Sequence, residues 1–154
     1  MSTSIQTITA ALVPPSQSML DQLNALNEVI LSYEQCPLAT EHILHGGMYI
    51  RTIRLKPDTK MMGSLIKRPT VLIVNGNTSV LIGDERVELE GYNVIPGCAG
   101  RKQFFWTHGN VEMTMIVQTE AKTVEEAENE VFAEADQLMS RRDGGGDTIL
   151  ITGV

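Results

Sequence analysis

The sequence has little of what catalytic and metal-binding chains are usually built around. Only three histidines and two cysteines occur in 154 residues. Cys36 and Cys98 are too few for a disulfide framework and lack thiolate metal-site spacing, so they read as isolated reduced thiols of a cytoplasmic protein. No apolar run approaches the ~18 residues that a membrane span needs. The opening MSTSIQTITAALVPP has no basic segment ahead of an apolar one, so it does not read as a signal peptide. A net charge of −7 argues against binding nucleic acid polymers, which call for a basic face. No serine sits in a Gly-x-Ser-x-Gly elbow, and the GGGD near the end leads into a strand-like segment rather than a phosphate-cradling helix.

What the chain does have is charge sorted by region. Residues 51–68 carry Arg51, Arg54, Lys56, Lys60, Lys67 and Arg68 against Asp58 alone. Residues 120–136 are acidic, with Lys122 as the exception. The acidic run falls on a helical pattern, which makes it the solvated face of a helix.

Local patterns divide a single 154-residue domain. Residues 1–15 form an arm stopped by Pro14 and Pro15. Residues 16–35 place Met19, Leu20, Leu23, Leu26 and Ile30 at helical spacing, with Ser16 or Ser18 as cap and Pro37 as the stop. From residue 43 to 118 short alternating segments and turns follow. MYIRTIRLK puts Arg51, Ile53 and Leu55 on one face and Arg54 and Lys56 on the other. Asn75-Gly76 predicts a hairpin, Gly83-Asp84 a second turn and His108-Gly109-Asn110 a third; Val111, Met113, Met115 and Val117 alternate as one buried face. Thr123 with Glu126 makes a capping box for a helix over 123–142, with stripe Val124, Ala127, Val131, Ala135 and Leu138. Residues 143–154 form a glycine-rich joint and a tail strand, TILIT, which should dock on its own sheet or a neighbour's.

The stretch TVLIVNGNTSVLIGDERVELEGYNVIPGCAG resembles the core of a cupin, a small jelly-roll barrel. Val71 to Gly76 resembles the end of the family's first motif; Gly91, Val94, Ile95 and Pro96 resemble the opening of its second. The resemblance covers about residues 48–118. It implies a mainly β, cupin-like jelly-roll barrel, with the N-terminal helix, the C-terminal helix and the tail strand added to it. By the family's spacing, the metal-ligand positions fall at Met62, Ser64, Pro69 and Arg101, and a slip of one residue offers Gly63, Leu65 and Lys102. None is an imidazole or a carboxylate, which implies a cupin without its metal ligands. The chain as a whole also resembles a phage- or prophage-encoded accessory protein.

The segments that line the barrel mouth in this resemblance are rich in cations, and Arg binds phosphate or carboxylate bidentately. The expected site is therefore a metal-free, cofactor-free, non-catalytic one. Arg54, Lys67, Arg101 and Lys102 would hold a small anionic ligand, nucleotide-like if Trp106 or Tyr92 stacks on a ring. A homo-oligomer is expected, with exchange of the tail strand as one route. Two alternatives stand beside this reading: an assembly or virion component with no small ligand, and a metal-dependent cupin enzyme using His42, His45, His108 or Cys98.

Overall fold

The computed structural model describes residues 11–141 and 146–152. The expected arm is described only from Ala11, and the glycine joint only at Gly146; the rest of both lies outside the described residues. The strands are β1 (Thr40–His45), β2 (Met48–Leu55), β3 (Lys60–Met62), β4 (Thr70–Asn75), β5 (Thr78–Ile82), β6 (Glu85–Leu89), β7 (Tyr92–Gly97), β8 (Phe104–Thr107), β9 (Val111–Gln118) and β10 (Thr148–Thr152). The helices are α1 (Gln17–Leu31) and α2 (Val124–Val131).

Two sheets form, in the orders β10-β1-β2-β9-β4-β7 and β3-β8-β5-β6. The antiparallel pairs are nested: β5 with β6, β4 with β7, β3 with β8, β2 with β9. Successive pairs fall in opposite sheets. The chain is thus one long hairpin with its tip at Gly83-Asp84, rolled so that its layers face each other across a core. That is a jelly roll, and the mainly β expectation with one helix on each side holds. The core is made by the inward parity of each strand: Tyr49, Leu72, Val74, Val80, Ile95, Phe105, Met113 and Val117 are all buried. Among the described residues no helix is long and apolar enough to cross a membrane.

The turns show where glycine is needed. Gly46 and Gly47 join β1 to β2 with φ of 59° and 78°, the double positive φ that a two-residue hairpin matched to strand twist requires. Asn75-Gly76 turns out not to be a hairpin, because β4 and β5 lie in different sheets. It is a corner, where the chain passes from one sheet to the other. Gly76 has φ 135°, its amide donates to the Gly91 carbonyl (2.9 Å), and an added Cβ would lie 2.4 Å from the Asn110 carbonyl oxygen. His108–Asn110 is a second corner against the first, with the His108 amide donating to the Asn77 carbonyl.

In α1 the Ser16 hydroxyl accepts from the Met19 amide, as a cap should. The helix stops at Leu31 rather than near residue 35, because the Ser32 hydroxyl donates to the Val29 carbonyl and closes the last turn early. In α2 the Thr123 hydroxyl accepts from the Glu126 amide, the first half of the expected box, and the Glu126 carboxylate accepts from that hydroxyl. The helix expected over 123–142 ends at Val131. Phe132 turns to extended geometry and bridges Ile66, while the Ala133 amide donates to the Leu65 carbonyl. Backbone pairing with residues 65–67 and burial of Phe132 outcompete the helical ladder. Single 3₁₀ turns at Ala135–Gln137 and Met139–Arg141 follow.

Candidate functional site

The six residues singled out in the sequence go to different places. Arg54 points outward from the six-stranded sheet and pairs with Glu41 and Glu112. Tyr92 is exposed on the same outer face, on β7. Trp106 lies on the outer face of the other sheet, between the buried Phe105 and Thr107; its Nε1 donates to Asp58 (2.9 Å), and the Lys60 ammonium sits 5.0 Å from its ring centroid. Lys67 is exposed and donates to the Asn129 carbonyl (2.9 Å). Lys102 is buried and paired with Glu134 (3.2 Å). A single cationic mouth with a stacking ring is therefore not formed, because strand parity sends Arg54, Tyr92 and Trp106 to outside surfaces.

Arg101 is different. Its side chain is inside the roll, with the residue only 4% exposed. One terminal nitrogen donates to Gln103 Oε1 (2.6 Å) and the other to the Thr70 hydroxyl (2.9 Å). Among the described residues it makes no ion pair with a carboxylate, and Arg101 Nε and Gln103 Nε2 have no acceptor. The arginine can only donate, so its bond fixes the Gln103 amide with oxygen toward it and leaves the NH₂ as the unmet group. Burial pulls the guanidinium down to about 10, where it is still charged at neutral pH. The strand end beside it has no side chain: a Cβ at Gly97 would lie 2.6 Å from Arg101 Nε and 2.6 Å from Thr70 Oγ1. The small-residue loop 97–100 thus lets a guanidinium lie against bare backbone. Thr70 and Gln103 were not legible as site residues, since neither carries a motif; Gly97 before Arg101 was the one available signal.

A divalent metal does not fit here. The donor set is a cation, an amide and a hydroxyl, and a guanidinium repels a metal ion. Elsewhere, His42 bonds Tyr49 and Asp147, His45 bonds Thr152, and His108 bonds Ser79. Among the described residues no group of three or more His, Cys, Asp or Glu is placed to hold a metal.

Two further polar clusters were missed by the sequence. In the first, Arg51 donates to the Tyr49 hydroxyl (3.1 Å), which pairs with His42 Nδ1 (2.7 Å), and His42 Nε2 meets Asp147 (3.0 Å). The arginine end sets the direction: Tyr49 donates to Nδ1, and Nε2–H donates to the carboxylate. Burial pulls the His42 pKa down, outweighing Asp147, and pushes Tyr49 up to about 12, so both rings are neutral. Arg51 also donates to Glu128 (2.8 Å), which accepts from Ser140 and Arg141 as well. Glu128 is therefore not part of a solvated acidic face; it is buried and holds the C-terminal turns to β2. Every member is satisfied, which marks a structural network rather than a vacant site.

The second cluster is Ser79, His108 and Glu88. The Ser79 hydroxyl is 2.7 Å from His108 Nε2 and 2.7 Å from Glu88 Oε1, and accepts from Arg86. The carboxylate sits on the hydroxyl rather than behind the imidazole, so the serine proton has a better acceptor than the ring and the group does not form a nucleophile triad. A hollow of about 360 Å³ beside the β1–β2 turn, lined by Leu44, Met48, Thr119 and Lys122 among others, contains none of the six expected residues.

No protein-family model and no curated protein matches this sequence. Among solved structures the chain is similar to a cupin superfamily protein from Desulfitobacterium hafniense, at 12% identity over 57% of this chain and 83% of that one, with a TM-score of 0.46. It is similar to a cupin-2 domain from Rhodospirillum rubrum, at 11% identity over 59% and 69%, with a TM-score of 0.45. Vicilin from Corylus avellana matches at 16% identity and a TM-score of 0.42 over 49% of this chain; the chain spans 24% of the vicilin. The likeness is one of fold, and the jelly-roll assignment stands on this chain's own nested strand pairing.

Proposed function

We propose that this protein binds a small anion inside its jelly roll, at the side chains of Arg101 and Gln103, and does so without catalysis. The supporting observation is the buried guanidinium that, among the described residues, has no carboxylate beside it and two adjacent donors left unmet. A buried cation without a partner is costly, and a buried donor without an acceptor adds to that cost. A compact carboxylate or phosphate supplies both the charge and the acceptors. Trp106 and Tyr92 lie on outer faces, so ring stacking is not part of this reading, and a nucleotide would be recognised by its phosphate. Binding without chemistry makes the protein a sequestering or carrying one.

The test is thermal unfolding of the full chain with inorganic phosphate, oxalate and adenosine monophosphate as probes. A bound anion raises the melting temperature with concentration. Arg101→Met is expected to abolish that rise, while Arg54→Ala leaves it. Without any probe, Arg101→Met is expected to melt above the parent, because it removes an unpaired buried charge. No shift with any probe, or a shift that survives Arg101→Met, would refute the proposal. An assembly role is favoured by a separate feature, the exposed tail strand.

A further inference from the structure

β10 is the edge of the six-stranded sheet, paired in parallel with β1 on one side and with no strand on its other side among the described residues. Its side chains are covered on neither face: Ile149, Leu150 and Ile151 are 55%, 53% and 43% exposed. Three consecutive large apolar residues on an open edge, with no lysine, glutamate, proline or bulge among them, are the arrangement that isolated proteins avoid. The bonds from His42 to Asp147 and from His45 to Thr152 hold the strand in place at its two ends, so its free edge is presented in a fixed position.

The order of residues says what fits that edge. Thr148-Ile149-Leu150-Ile151-Thr152 reads the same in both directions. Laid antiparallel against a second copy and centred on Leu150, the strand sets Thr148 opposite Thr152, Ile149 opposite Ile151 and Leu150 opposite its own counterpart. The pairs are like with like: threonine with threonine and β-branched isoleucine with isoleucine, both favourable across strands, with the two leucines in apolar contact at the centre. A two-fold contact needs this self-complementarity, and it closes after two chains rather than growing into a fibre. The outer face beside it continues the apolar surface, since Ile43 is the registered neighbour of Leu150 on β1. No charge on the strand opposes self-association. An unrelated partner strand would have no reason to require the palindrome.

We propose that β10 is a self-recognition strand: two copies of this chain pair antiparallel through Thr148–Thr152, joining two six-stranded sheets into one continuous sheet. This is independent of the anion reading and survives its failure.

The experiment measures the mass of the full chain by light scattering and sedimentation over a dilution series. The parent is expected to be a dimer. Leu150→Lys places two ammonium groups on the two-fold axis and is expected to give a single copy; since the strand's side chains are uncovered, the roll itself should stay folded. Register is tested by paired charges. Thr148→Lys with Thr152→Lys apposes like charges at both ends and should weaken the dimer several-fold or more, whereas Thr148→Glu with Thr152→Lys apposes opposite charges and should preserve it. A parent chain that remains single, or a dimer indifferent to Leu150→Lys, or one that treats the two charge pairs alike, overturns the proposal.

Discussion

Replacing Glu128 with alanine is expected to lower the unfolding free energy by about 3–5 kcal/mol, the usual cost of removing one partner from a buried ion pair. Both carboxylate oxygens are engaged: one accepts from Arg51 (2.8 Å) and Ser140 (2.6 Å), the other from Arg141 (2.9 Å). Without it, Arg51 keeps a place over the Phe132 ring but has no counter-ion, on the inner face of β2. The same bonds have a pH signature. Burial by itself would raise the Glu128 pKa, but the bonds from Ser140 and Arg141 and the charge of Arg51 outweigh it, so the net value lies below the ordinary 4.5. The folded state therefore holds this proton less tightly than the unfolded one. Its contribution is complete above about pH 4.5 and is lost as pH falls through the lower folded value. Urea titrations of the parent and of Glu128→Gln across that range check both points. If the parent and the alanine variant share one midpoint at neutral pH, the cluster is not what fastens residues 128–141 to the sheet.

Gly76→Ala carries the other large effect. A φ of 135° is closed to side-chain-bearing residues, and the backbone strain alone costs about 1–3 kcal/mol. To this is added a Cβ 2.4 Å from a backbone oxygen, which cannot swing away as a side chain would. Gly91→Ala is the matched control, because Gly91 has φ 68° with nothing within 4 Å. The difference between the two midpoints reports the clash at the corner together with the greater strain of φ 135° over φ 68°. Equal losses would mean that the two corners give way together and that their contact is loose.

These two positions show what was readable in advance. The parity of β2 was legible: Arg51 was placed on the face of Ile53 and Leu55, and Arg54 opposite. What parity could not supply was the partner, because Glu128 sits 77 positions away in an acidic run that looks solvated residue by residue. Asn75-Gly76 was legible as a bend, but local chemistry is the same for a hairpin and for a sheet-crossing corner. Only the pairing of β4 with β7 and β9 decides between them. For the site, Arg101 was found by its place in a resemblance. Its neighbours Thr70 and Gln103 were not, since a threonine at the inner end of a strand and a glutamine before one are ordinary until the roll closes around them. Lys102 was expected to hold the anion alongside Arg101 because adjacent residues look alike in a sequence, yet its ammonium reaches Glu134, while among the described residues its neighbour's guanidinium reaches no carboxylate.

The nesting of the strands has a kinetic consequence. Ile82 and Glu85 meet across two residues, while Met48 and Gln118 meet across most of the domain. Closing a span costs more entropy the longer it is, but each inner rung that forms shortens the free chain left for the next. The cheapest route to the native state therefore zips outward from the Gly83-Asp84 tip, the β2–β9 rung closes after the inner ones, and the β1–β10 pairing, which spans them all, is the last to click shut.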